Sequence, residues 1–209
     1  MSKTDDVRRE ASLQDGRTFL WRSARPDDAG MIWAWWTAPD VSYWSIEPRL
    51  SKVASPPYDQ ETVRDYLAMP LSERSVDPII GLLGGSTPKV YAELYAKGDS
   101  PLADFSLVED EARGSHFLVD PLDGCNRRTV FEICVDGVAW QFDEWPTATH
   151  YIGDPDIRNR AAIFLHKRLG MKPLDVVQLP HKTAYLMAIS RREWRDNREQ
   201  LNSLLCRDL

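Results

Sequence analysis

From residue 148 to residue 171 the chain reads ATHYIGDPDIRNRAAIFLHKRLGM, and this stretch limits the fold more than any other. The pattern predicts a short strand over 148–153, an acidic turn at Asp154, Pro155 and Asp156, and a helix that ends at Gly170. A strand that feeds a helix through an acidic turn marks a site. The free amides of the first helical turn point at whatever occupies it and favour anions such as a diphosphate.

At 209 residues, 43% hydrophobic and 28% charged, the chain is long enough to bury a core as one domain, here expected over 16–209. Residues 1–15 are polar and charged without an apolar run, which predicts a frayed, flexible start and no signal peptide. The net charge of −6 has no basic run to offset it, which argues against nucleic-acid or anionic-membrane partners. No segment approaches the roughly 18 apolar residues of a membrane span. Cys125, Cys134 and Cys206 form no C-x-x-C pair and no metal-ligand spacing with the four histidines, so no metal is expected. Sparse, unpaired cysteines fit a reducing, cytoplasmic location.

Along the chain, residues 16–23 predict a first strand, and Arg25-Pro26-Asp27-Asp28 opens a helix carrying MIWAWW. Val41 to Trp44 is an aromatic segment, 51–58 a Ser/Pro-rich loop, and 59–69 a helix with Val63, Tyr66 and Leu67 on one side. Strands are expected over 78–83, 90–97 and 114–120. In the second of these, Val90, Ala92 and Leu94 face one way and Tyr91, Glu93 and Tyr95 the other. A helix over 126–142 places Cys134 on its apolar side, with Gly137 as an irregularity. Strands over 173–179 and 183–189 and a charged helix over 191–205 complete an α/β chain, a mixed sheet of about six or seven strands flanked by helices.

Two sets of residues connect this order to a known family. Asn159, Ala162 and Gly170 resemble the N-x-x-A…G-F signature of the GNAT N-acetyltransferases, with Met171 where Phe is usual. Five further stretches, in order, resemble the siderophore branch, the hydroxylysine acetyltransferases of aerobactin-type pathways: Trp35 to Trp44 (W-x-x-x-P-x-V-x-x-W), VYAELY at 90–95, GSHFLV at 114–119, DPDIRN at 154–159 and LPHKTA at 179–184. The resemblance implies a GNAT fold, with a central, mostly antiparallel sheet whose middle strands splay apart. It implies acyl-CoA, most simply acetyl-CoA, as co-substrate and an N-hydroxylated diamine or amino acid as acceptor. The product is a hydroxamate, and other siderophore-pathway enzymes are implied as partners, with the chain a monomer or a homodimer. Aminoglycoside or polyamine N-acetylation, and a GNAT-shaped binding module without chemistry, stand as alternatives.

On this resemblance His116 is the general base, since an imidazole titrates near the operating pH where general-base catalysis is most efficient. The plainer reading is a strand histidine held by hydrogen bonds. Asp154 is the acid that orients His116 or binds the acceptor's ammonium group. Asp156 competes for that role or caps the following helix. Leu118, Val119, Gly124, Arg127, Arg128, Asn159 and Ala162 are expected to contact the donor. Trp35, Trp44, Tyr91, Glu93, Tyr95, Asp156, His181 and Lys182 are expected around the acceptor, with Glu93 meeting its cationic end. His166 stands where many GNAT enzymes carry a thiolate-protonating Tyr, and is read here as a helix-face histidine. The family's diphosphate loop is glycine-rich, whereas residues 121–128 read PLDGCNRR with Gly124 alone. The resemblance therefore implies weakened or displaced CoA binding, which Arg127 and Arg128 would offset.

Overall fold

The computed structural model describes residues 7–205 except 40, 42 and 45. Eight strands form one sheet in the order β1-β2-β3-β4-β5-β6-β8-β7. They are β1 (Val7–Ser12), β2 (Thr18–Ser23), β3 (Asp77–Leu83), β4 (Thr87–Ala96), β5 (Arg113–Val119), β6 (His150–Gly153), β7 (Lys172–Leu179) and β8 (Lys182–Ser190). Neighbouring strands run antiparallel except β5 and β6, which run parallel.

That parallel pair makes the site. β4 and β5 pair over their length, from Val90↔Val119 to Ala96↔Arg113. β5 and β6 pair only at Arg113↔Tyr151 and Gly114↔Ile152, and then part. Gly114 sits at the fork. A Cβ there would lie 2.5 Å from the Tyr95 ring and 2.8 Å from the Ile152 carbonyl oxygen, so any side chain would pry the fork open.

Helices cover both faces. On one side lie α1 (Ala29–Trp36), α2 (Glu47–Leu50) and α3 (Gln60–Ala68). α1 buries Ala29, Ile32, Trp35 and Trp36, a helical stripe. α3 starts where the Asp59 carboxylate accepts the Thr62 amide at 2.9 Å, and it buries Val63, Tyr66 and Leu67 as the periodicity requires. These side chains pack with Ile80 and Tyr91 of the sheet. On the other side α4 (Arg127–Glu144) and α6 (Arg191–Leu205) pack Phe131, Cys134, Val138, Phe142, Trp194 and Leu201 against Tyr151, Met187 and Ile189. α5 (Arg160–Arg168) follows β6, and Met171 is buried just beyond it.

Two expectations need correction. Val7–Ser12, expected within a flexible start, is a strand paired antiparallel to β2. Its charged residues are anchored across the fold: Arg8 to Asp77 and Arg9 to Asp136. The sheet therefore has eight strands, not six or seven. And α2, which no periodicity announced, carries a buried arginine that proves central to the site. Cys206 and residues 1–6 lie outside the described residues.

Candidate active site

β4 and β5 lie side by side, so their registers set the site. Glu93 stands opposite His116. Glu93 is fully buried, and Arg49 from α2 reaches it with Nε at 2.6 and 2.7 Å from the two carboxylate oxygens. The Tyr91 hydroxyl donates to Glu93 Oε1 at 2.8 Å. Burial and the Glu93 charge push the Tyr91 phenol far up, so it stays protonated and donates. Burial alone would raise the Glu93 pKa; the Arg49 charge and the hydrogen bonds from His116 and Arg49 overcome it and hold the carboxyl at about 2.

His116 lies between two acids. Its Nδ1 is 3.2 Å from Glu93 Oε2 and 3.0 Å from Arg49 Nη2. Its Nε2 is 3.8 Å from Asp154 Oδ1, which stands just past the end of β6. The imidazole packs on the Tyr95 ring, with centroids 4.8 Å apart, and edge-on to Trp44 at 6.2 Å. Asp154 accepts from the Tyr95 hydroxyl at 3.1 Å and pairs with Lys182 at 2.8 Å. Burial raises its pKa, but the Lys182 charge and these two hydrogen bonds leave it below the usual carboxylate value.

A cavity of about 370 Å³ opens here, within the range of small-molecule sites. His116 and Leu118 line it from one face of the sheet, and Ser115 and Phe117 from the other. Consecutive residues of a strand point to opposite faces, so a cavity that touches all four passes through the sheet where β5 and β6 separate. Trp44, Tyr95, Asp154, Asp156, Asn159, Ala162, His181 and Lys182 also line it.

Other sequence-selected residues lie elsewhere. Trp35, Tyr91 and Glu93 are buried beneath the cavity and are not part of its wall. Glu93, expected to meet the acceptor's cationic end, already holds Arg49. Asp156 does not cap α5. Asn159 does, its side chain accepting from the Ala162 amide at 3.0 Å, while Asp156 clamps Arg158 at 2.7 Å. Val119, Gly124, Arg127 and Arg128 lie away from the cavity; Arg128 pairs with Glu132 and bonds Gln14. In the glycine-poor loop Asp120 supplies its own anion: Oδ1 accepts the Leu122 and Asp123 amides at 2.9 and 3.1 Å, and Oδ2 meets Lys89 at 3.1 Å.

His166 is a half-buried histidine of the α5 face that lines the cavity. Its Nδ1 lies 2.7 Å from the Ala162 carbonyl, which can only accept, so Nδ1 carries the proton. Burial pushes its pKa down and leaves Nε2 bare. Nε2 packs against Gly153, where a Cβ would come within 2.3 Å of it. Arg49 is the functional residue that sequence reasoning missed. E-P-R-L offers no periodicity, and its partner lies 44 positions away. Among the described residues no cluster of His, Cys, Asp and Glu could hold a metal ion, and no helix is long and apolar enough to cross a membrane.

The acetyltransferase (GNAT) domain family matches this chain over residues 25–179. No curated protein matches it in sequence. Among solved structures, an uncharacterized protein from Bacillus halodurans is similar at TM-score 0.81 and 20% identity, over 94% of this chain and 97% of that one. The aminoglycoside acetyltransferase AAC(6')-Ib with coenzyme A is similar at TM-score 0.71 and 23% identity, over 86% of this chain and 99% of that one. An aminoglycoside N(6')acetyltransferase from Legionella pneumophila is similar at TM-score 0.62 and 14% identity, over 87% and 95%. At these identities the likeness is one of fold.

Proposed function

Because this chain belongs to the acetyltransferase (GNAT) domain family, we propose that it moves an acyl group from acyl-CoA to the hydroxylamine nitrogen of an N-hydroxylated diamine or amino acid, forming a hydroxamate for siderophore assembly. The carrying observation is charge. Among the described residues, every carboxylate at the cavity already has a cation: Asp154 has Lys182, Asp156 has Arg158, and Glu93 beneath has Arg49. A polycationic aminoglycoside or polyamine would find no uncompensated acid among them, and bringing it in would leave its charges unpaired. A hydroxylamine is mostly uncharged at neutral pH and needs none. The structural relatives with aminoglycosides favour the other acceptor class; the paired acids weigh against it.

The chemistry follows from the two faces of His116. With Nδ1–H donated to Glu93, Nε2 carries the free lone pair. The acceptor nitrogen attacks the thioester carbonyl carbon, a C–N bond forms, and Nε2 takes the proton from that nitrogen. The C–S bond breaks as the intermediate collapses, and the CoA thiolate leaves with one proton from the imidazolium. Asp154, 3.8 Å from Nε2, stabilises the cation formed there. Holding both reactants in the gap supplies much of the rate through orientation. Trp44 lines the cavity with its buried Nε1 unpartnered among the described residues, a donor suited to the acceptor's hydroxyl oxygen.

The test is thiol release from acetyl-CoA with N-hydroxylated diamines beside their unhydroxylated parents and an aminoglycoside. Preference for the hydroxylated acceptor is expected. Preference for the parent amine or the aminoglycoside would overturn the hydroxamate reading.

A further inference from the structure

A second cavity of about 40 Å³ lies behind the first and shares with it the walls Ser115, Phe117, Leu165 and His166. Its inner wall is apolar, made by Ile133, Trp140, Leu94 and Trp21. Gly137 of α4 also borders it. A Cβ at that position would approach nothing closer than Trp21 at 3.8 Å, so the missing side chain leaves space that the packing does not need. Glycine in a helix interior costs about 1 kcal/mol relative to alanine, and here it keeps a hollow open.

The hollow holds one unsatisfied group. Gln141 is 1% exposed and lines the cavity, and its Oε1 has no hydrogen-bond partner among the described residues. The Gln141 side chain and the Ser115 hydroxyl both bond the Tyr151 hydroxyl. The remaining Gln141 lone pairs call for a donor from outside. A buried acceptor without one costs about 1–3 kcal/mol.

We infer that this hollow is an acyl subsite for a chain longer than acetyl, extending about three heavy atoms past the carbonyl and bearing a hydroxyl that donates to Gln141 Oε1. The length follows from the volume, since an atom-sized guest occupies roughly 10–15 Å³ on this measure. The inference rests on the acyl-thioester reading of the main cavity and deepens it by naming the acyl class.

Calorimetric binding of S-alkyl-CoA thioethers tests it without any acceptor. From S-ethyl to S-butyl, affinity should rise about three- to fourfold per methylene, then fall at S-octyl. S-(3-hydroxybutyl)-CoA should bind more tightly than S-butyl-CoA, and Gln141→Leu should remove that difference. Gly137→Leu should make S-ethyl-CoA the preferred ligand, while Gly137→Ala, whose methyl meets only Trp21 at 3.8 Å, should raise the melting temperature as the better helix former and so show that the helix tolerates a side chain there. Flat or falling affinity beyond S-ethyl in the native chain, or a Gly137→Leu profile identical to it, would overturn the subsite. A chain-length preference with no turnover on hydroxylamines would overturn the acceptor reading alone.

Discussion

Arg49 and Glu93 form a buried ion pair directly behind the imidazole of His116. The arginine comes from a four-residue helix and the glutamate from the middle of the sheet, so the pair ties the α2 segment to the strand beside His116. Burying both charges is costly, and only their geometry offsets it. The arrangement holds the ring of His116 from its Nδ1 side.

Breaking that pair from one side leaves a lone buried charge. Arg49→Met should lower stability by about 3–5 kcal/mol, read from urea unfolding midpoints. Arg49→Met with Glu93→Leu, which leaves no orphan charge, should recover most of the loss. Equal destabilisation in the single and double variants would mean that the charges contribute nothing to each other.

The Glu93 carboxyl also sets an acid dependence. Its folded pKa of about 2 lies below the usual 4.5 of a free glutamate carboxyl. A depressed acid contributes stability that is complete above its unfolded pKa and is lost as pH falls through the folded one. Unfolding free energy should therefore decline between about pH 5 and pH 2. In Glu93→Gln the curve should be lower throughout and flatter across that window. An unaltered slope would assign the acid sensitivity to other carboxylates.

His116→Ala should reduce turnover by about 10²- to 10⁴-fold, the usual range for a positioned general base. Donor affinity, measured by CoA calorimetry, should be unchanged. A turnover equal to that of the native chain would remove His116 from the mechanism.

Lys182 is the cation that holds the buried Asp154 ionised. In Lys182→Met burial is left without its chief opponent, so the Asp154 pKa should rise. The deficit in kcat/KM should widen as pH falls, because the neutral acid no longer stabilises the imidazolium. A deficit constant across pH 5–9 would point to loss of substrate contact instead.

Asn159→Ala removes the cap from the α5 amide of Ala162 and should cost about 0.5–2 kcal/mol. Asn159→Asp keeps an acceptor oxygen at the cap and should cost less. Thermal melts of the two variants distinguish them.

The parts written in local periodicity were legible. The α3 and α4 faces and the alternation along β4 emerge from single stretches of sequence, and they put Glu93 and His116 each on a strand; that the two strands are neighbours came from the fold. What the sequence hid was long-range. Val7–Ser12 is an edge strand, half-exposed on both faces, so it carries charge where a buried strand would alternate. Arg49 gains meaning only when the chain folds back on Glu93. The helix-capping assignment slipped by three residues because Asp156 and Asn159 are equally good cap residues, and the backbone chose the second. Glu93 has a similar history: periodicity gave its face, but its ionic partner comes from a segment with no pattern.

The fork at Gly114 has a thermodynamic corollary. Past it, β5 runs on from Ser115 to Val119 while β6 ends at Gly153, so β5 has no strand on that side, beside the cavity. A molecule that fills that seam does the work of a missing strand, and by mass action it must raise the melting temperature as its concentration exceeds its dissociation constant. Heat resistance in this chain should thus report occupancy.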